Sequence, residues 1–191
     1  LIMATYKEIK GATVQTRDTD PTVNVGSWAA GGSLNTARYA ATGMGTQTDA
    51  LVAGGITSTN VANVENYNGT SWTEVNDINA ARREFASGGT DTASVVFGGI
   101  TTTAVGNTES WNGSSWTEVN DLNTVRYQLG GCGLQTAALA YSGVPAPPAK
   151  NETESWNGSS WTEVNNVNTA RGFGGSLGTY TAALLIGGDT Y

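Results

Sequence analysis

The sequence predicts an all-β protein assembled from a repeated four-stranded unit, and three observations lead there. The thirteen residues TESWNGSSWTEVN at 108–120 recur letter for letter at 153–165, with a near copy, VENYNGTSWTEVN, at 64–76. Three residue types keep one step along the chain. Trp28, Trp72, Trp116 and Trp161 stand 44, 44 and 45 residues apart, and Arg38, Arg82, Arg126 and Arg171 keep the same spacing, as do Thr48, Thr92, Thr136 and Thr181. The composition is poor in helix formers, with 26 Gly, only 13% charged residues and many Thr, Ser and Asn. A period in the forties signals a repeat architecture. Gly pairs in every unit and the lack of a 3.6-residue apolar stripe exclude a helical repeat.

Each unit reads as four short strands. The first is small and Gly-rich: YAATGMG, EFASGG, LGGCG and GFGGSLG. A tight turn (TQT, TDT, LQT, TYT) leads to an apolar second strand in ALVAGG, SVVFGG, ALAYSG and ALLIGG. A variable loop precedes a third strand ending in Tyr67, Trp111 or Trp156, and an Asn-Gly turn, where both residues tolerate positive φ, opens the fourth strand, SWTEV. The segment NDINAAR or its equivalent then crosses to the next unit. Four antiparallel strands at this period are the plan of a β-propeller blade. Small residues suit the crowded inner strand, and the outer aromatic residues fill the widening wedge between blades. On the outermost strand Glu74, Glu118 and Glu163 discourage edge-to-edge pairing, a reading preferred to a calcium ring.

Three complete units are expected at roughly 38–77, 82–121 and 126–166, with a fourth-type strand at 27–34 and a first and second strand within 171–188. The ring is therefore incomplete within 26–191. Either further repeats follow, or another subunit, such as a second copy in a homo-oligomer, closes it.

Gly-Gly after the second strand, an aromatic residue in the third, Trp opening the fourth and Arg after the crossover together resemble the Kelch repeat over roughly 26–191. The third unit departs from it, with SGVPAPPAK in place of Gly-Gly and the loops ITSTN or ITTTA, so Pro145, Pro147 and Pro148 stiffen that loop. Residues 1–25 lie outside the repeat and read as an extended arm. The stretch MATYKEIKG from Met3 is similar to the openings of structural proteins of marine bacteriophages that also carry Kelch-like repeats with NTAR and TQTAAL runs. That resemblance implies a virion protein, a tail fibre or surface appendage, attached to other virion proteins through 1–25 and projecting its repeats towards a host-surface glycan or protein.

Nine basic against sixteen acidic residues give a net charge of −7, which excludes the cationic footprint that nucleic acid requires. There is no apolar run of membrane-spanning length. His is absent, which removes the commonest metal ligand and general base, so no catalytic, metal or cofactor site is expected. Although some Kelch-like propellers are copper oxidases or sugar-processing enzymes, their copper sites need His. The Glu residues here repeat with the units instead of converging as an unequal pair. Cys132, the one cysteine, is expected to pack within an inner strand. NGT at 68–70, NGS at 112–114 and 157–159, and NET at 151–153 fit the N-glycosylation pattern, yet the turn explains the first three.

The connections of an antiparallel meander alternate between two ends. The crossovers bearing Arg38, Arg82, Arg126 and Arg171 therefore share an end with the variable loops 56–63, 100–107 and 144–153, which carry Asn60, Asn107 and Lys150. Such an arginine rosette suits an anionic sugar or carboxylate held by bidentate contacts. The strict repetition favours the other reading, in which each Arg binds carbonyls of a neighbouring blade and fixes blade spacing.

Overall fold

The computed structural model describes residues 30–190. The expected arm, 1–25, and Trp28 lie outside the described residues. Residues 31 onward form one compact unit. It contains fourteen strands: β1 (Thr42–Gly45), β2 (Ala50–Ala53), β3 (Val64–Tyr67), β4 (Trp72–Val75), β5 (Ala86–Gly89), β6 (Ser94–Phe97), β7 (Thr108–Trp111), β8 (Trp116–Val119), β9 (Gly130–Leu134), β10 (Ala137–Tyr141), β11 (Thr153–Trp156), β12 (Trp161–Val164), β13 (Gly175–Thr179) and β14 (Ala182–Ile186). They make three four-stranded antiparallel meanders, β1–β4, β5–β8 and β9–β12, followed by the hairpin β13–β14. These are blade-like units in the order the repeat predicts. Among the described residues they do not close a ring, and no helix there is long and apolar enough to cross a membrane.

The Gly-rich first strands stack side by side, β1 beside β5, β5 beside β9 and β9 beside β13. Small residues permit that approach: a Cβ on Gly131 would lie 2.8 Å from the Cβ of Ala86 on the neighbouring inner strand. The core is made of two layers between sheets. Met44, Leu51, Ala53 and Val64 of the first sheet meet Phe85, Val96, Trp111 and Trp116 of the second, with Ile78 of the crossover between them. Val95 and Phe97 meet Ala138, Ala140, Trp156 and Trp161 in the same way, with Leu122 as the crossover anchor.

The outer hairpins explain why thirteen letters repeat. Tyr67 faces Trp72, Trp111 faces Trp116 and Trp156 faces Trp161 in register, with ring centroids 4.9, 5.1 and 5.2 Å apart. Such cross-strand aromatic pairs are worth about 0.5–1 kcal/mol each. Trp111 and Trp156 also donate their indole N–H to the carbonyls of Asp91 and Gln135 in the turn between first and second strands of their own sheets, 2.8 Å each. The connecting turn differs from expectation in detail. Only the glycines, Gly69, Gly113 and Gly158, take positive φ (86°, 91° and 93°). Asn68, Asn112 and Asn157 instead cap the turn through their side chains, each Oδ1 accepting from two following backbone N–H groups.

Candidate functional site

Three of the four repeated arginines sit in buried ion pairs. Arg38, Arg82 and Arg126 have fully buried side chains, and each meets a buried carboxylate on the third strand of the following sheet: Glu65, Glu109 and Glu154. Arg126 reaches Glu154 at 2.7 Å and also donates to the carbonyl of Glu152 at 2.8 Å. The other carboxylate oxygen is taken by the crossover itself. Asn35, Asn79 and Asn123 each donate both backbone N–H and side-chain Nδ2 to it, at 2.6–3.0 Å. The same Nδ2 groups also reach the carbonyls of Trp72, Trp116 and Trp161. An N-x-x-R crossover thus folds round one Glu, and that Glu staples it to the third and fourth strands of one sheet.

The electrostatics fit a closed brace. Burial alone would raise the Glu65 carboxyl, but the Asn35 N–H, the Arg38 guanidinium and the Thr36 N–H together hold it below its ordinary value. Burial pulls Arg126 below its ordinary value, opposed by Glu154, Glu152 and Glu163. Arg82 stacks over the Phe85 ring at 5.0 Å. The side chains of these three arginines are buried, and their bonds run to a carboxylate and carbonyls of their own unit, not to the neighbouring-blade carbonyls of the blade-spacing reading. It is the main-chain carbonyls of Arg82 and Arg126 that meet the preceding sheet, accepting from Gly55 and Gly99 N–H at 2.9 Å.

The remaining expected contacts divide. Asn60 is committed to the next sheet, with Nδ2 donating to the carbonyls of Ile100 and Thr101 (3.2 and 2.9 Å) and Oδ1 accepting from Arg83 (2.7 Å). Asn107 donates to Glu118 at 2.8 Å. Glu74 and Glu118 are therefore acceptors for loop asparagines as well as exposed edge residues. Lys150 is exposed. Arg171 is half-buried, and its guanidinium donates to the carbonyl of Gly187 at 3.0 Å. Cys132 is buried as expected, and burial pushes its thiol up.

Reading the sequence alone passes over the third-strand glutamates, although they keep the step of the arginines and follow them by 27, 27 and 28 residues. It also passes over the residues just after each Arg. Ala40, Glu84, Gln128 and Phe173 all adopt left-handed backbone, with φ of 55–57°. A hydrogen-bond staircase joins them, Glu84 N–H to Ala40 O (2.9 Å), Gln128 N–H to Glu84 O (2.8 Å) and Phe173 N–H to Gln128 O (3.1 Å). The Gln128 side chain adds a bond to Glu84 at 2.8 Å, and Glu84 pairs with Arg83 at 3.3 Å. Bridges from Tyr39, Arg83, Tyr127 and Gly172 to Ile56, Ile100, Val144 and Asp189 put this staircase at the end that carries the variable loops. Tyr39 and Phe173 stand 67% and 56% exposed there.

One substitution within the repeat is legible at this end. A Cβ on Gly98 (φ 70°) would lie 2.7 Å from the carbonyl of Arg126. At the equivalent Ser142 (φ 60°) the hydroxyl instead donates to the Arg171 carbonyl at 2.7 Å and accepts the Arg171 N–H at 2.8 Å. The clash position has become a hydrogen bond. No protein-family model and no curated protein matches this chain.

Proposed function

We propose that this chain is a recognition module, a Kelch-like propeller whose ligand contacts lie at the end carrying the left-handed staircase and the variable loops. Residues 1–25 join it to a bacteriophage virion as part of a tail fibre or surface appendage. One observation carries the recognition reading. Four equivalent positions with φ near 55° would be filled most cheaply by Gly, and they carry Ala, Glu, Gln and Phe. Left-handed backbone at a non-Gly residue concentrates where side chains are needed. The virion assignment rests on the resemblance of MATYKEIKG and of the repeat style.

A host-surface glycan suits the chemistry of this end. Exposed rings at Tyr39 and Phe173 offer flat apolar faces, while Arg83, Glu84 and Gln128 supply donors and acceptors for hydroxyls. The module is read as non-catalytic, since it has no His and its one carboxylate on the staircase is paired. The test is binding of the purified chain to host envelopes and their isolated glycans, with Tyr39→Ala and Phe173→Ala against Ser114→Ala at the opposite end. The face variants should lose at least about tenfold in affinity, or about 1.4 kcal/mol, with an unchanged melting temperature. Equal binding by all three would reject the recognition reading. Deleting residues 1–20 should abolish incorporation into particles. A truncated chain that still assembles would reject the virion assignment, and binding without any incorporation would favour a stand-alone glycan- or protein-binding propeller.

A further inference from the structure

The N-x-x-R crossover occurs a fourth time, as Asn168, Thr169, Ala170 and Arg171, and here no carboxylate fills it among the described residues. A cleft of about 440 Å3 opens instead, lined by Asn166, Val167, Asn168, Thr169, Arg171 and Leu185. Beside it the outer edge of β14 has no third strand paired to it among the described residues, and Leu184 and Ile186 are about half exposed. We propose that this edge and this cleft form one docking site for an extended strand, read by a single glutamate. The occupant is the outer hairpin of a further repeat of the same kind, with Glu two residues before an aromatic residue and a Trp-led strand after the turn.

The three filled copies specify how it is read. Asn168, by N–H and Nδ2, takes one oxygen of the incoming carboxylate, and Arg171 takes the other, helped by the Thr169 N–H as Thr36 and Thr124 help theirs at 3.2 and 3.3 Å. Asn168 Nδ2 also reaches a backbone carbonyl of the partner's outer strand, as Asn123 does at Trp161 (3.1 Å). To do this Arg171 leaves the Gly187 carbonyl. Its equivalents Arg38 and Arg126 rest instead on Val52 and Ala140, the counterparts of Leu185. Backbone pairing with β14 supplies affinity and the carboxylate supplies register. A second copy of this chain is a poor donor, because its own β3, β7 and β11 already lie between two strands. The site stands at the sheet edge and does not depend on the recognition reading.

The probe is a labelled peptide of residues 151–166, NETESWNGSSWTEVNN, titrated by fluorescence anisotropy into the full chain. To remove the handicap of an unstructured free peptide, the same sixteen residues are also appended to the chain through a flexible linker and the melting temperature is read. We expect saturable binding, and at least about tenfold weaker binding for the Glu154→Gln peptide and for Arg171→Ala in the chain, with Arg171→Lys between the two. The appended strand should raise the melting temperature, and its Glu→Gln version should raise it less. Equal behaviour of the Glu and Gln versions, or no effect in either format, overturns the proposal. So does a concentration-dependent dimer of the chain that the peptide fails to dissociate, which would assign the edge to a second copy.

Discussion

Replacing Glu109 by Ala removes the centre of the middle brace. Its carboxylate accepts from Asn79 N–H at 2.6 Å, from Asn79 Nδ2 at 2.8 Å and from Arg82, whose side chain is fully buried. Among the described residues the guanidinium has no other carboxylate within salt-bridge distance, and it also meets the Ala80 carbonyl and the Phe85 ring. The variant therefore strands a charge in the layer between the first two sheets. Breaking a buried pair from one side costs about 3–5 kcal/mol, a large part of a typical stability of about 5–15 kcal/mol. With a urea m-value of about 2 kcal/mol/M, the midpoint should fall by about 1.5–2.5 M.

The sign of a second substitution decides whether the stranded charge is the cause. In the double variant Glu109→Ala, Arg82→Met the charge is gone and an unbranched apolar side chain lies along the same path. It should recover stability relative to Glu109→Ala alone, because replacing a whole buried pair by apolar groups is close to neutral. Equilibrium urea unfolding followed by Trp fluorescence and by far-ultraviolet circular dichroism gives both numbers. A loss below about 1 kcal/mol for Glu109→Ala, or a double variant no more stable than the single one, refutes the brace as described.

Acid should weaken the first brace. The folded Glu65 carboxyl lies below its unfolded value, so its contribution is complete above about pH 4.5 and is lost as the pH falls through the lower folded value; melting temperatures between pH 6 and 2.5 should show this limb, flattened in Glu65→Gln. Cys132, buried and with its thiol pushed up, should react with iodoacetamide at pH 8 at least about tenfold more slowly in the native chain than in urea. Gly98→Ala meets both a positive φ of 70° and the Arg126 carbonyl at 2.7 Å, so it should cost about 2 kcal/mol or more, whereas Gly158→Ala at the outer turn, with Thr136 O at 3.4 Å, should cost less in the same urea assay. Tyr141, pushed up to about 12 chiefly by burial, contributes stability that is complete below about pH 10 and lost as the pH rises through about 12, which an alkaline unfolding curve of Tyr141→Phe against the parent would reveal.

The strand order was legible because its signals are local: an apolar run, an Asn-Gly turn and a Trp at one step. The brace was legible only in half. Arg38, Arg82 and Arg126 stand out in a chain with nine basic residues, but Glu65, Glu109 and Glu154 share their strands with a conspicuous aromatic, and Glu74, Glu118 and Glu163 compete for notice on the next strand. Register resolves them. Glu65 faces Glu74 across one pair of strands, as Glu109 faces Glu118 and Glu154 faces Glu163, yet only the inner member of each pair meets the Asn and Arg of a crossover. Which of two like charges is buried depends on how a segment some thirty residues away folds over the sheet, and no local pattern carries that. Positive φ at Glu84 or Gln128 was hidden for the same reason, since neither residue type announces it.

The division between what repeats and what varies follows from where the free energy lies. Within the first three crossovers Asn and Arg are committed to a carboxylate and cannot change without leaving a buried partner unmatched. The next two positions are held by backbone bonds, Arg83 N–H and carbonyl to Ile100, Glu84 N–H to Ala40 O and Glu84 O to Gln128 N–H, to which Arg83 and Gln128 add side-chain bonds to Asn60 and Glu84. A position fixed through its main chain can change its side chain without unmaking those main-chain bonds. The brace therefore does two things at once. It fixes each of these crossovers against the sheet that follows, and it holds in place the left-handed residue two positions after the buried Arg. A surface of that kind can change its side chains without changing its fold, which is why the residues after the arginines, and not the arginines, are where tests of the proposed recognition should begin.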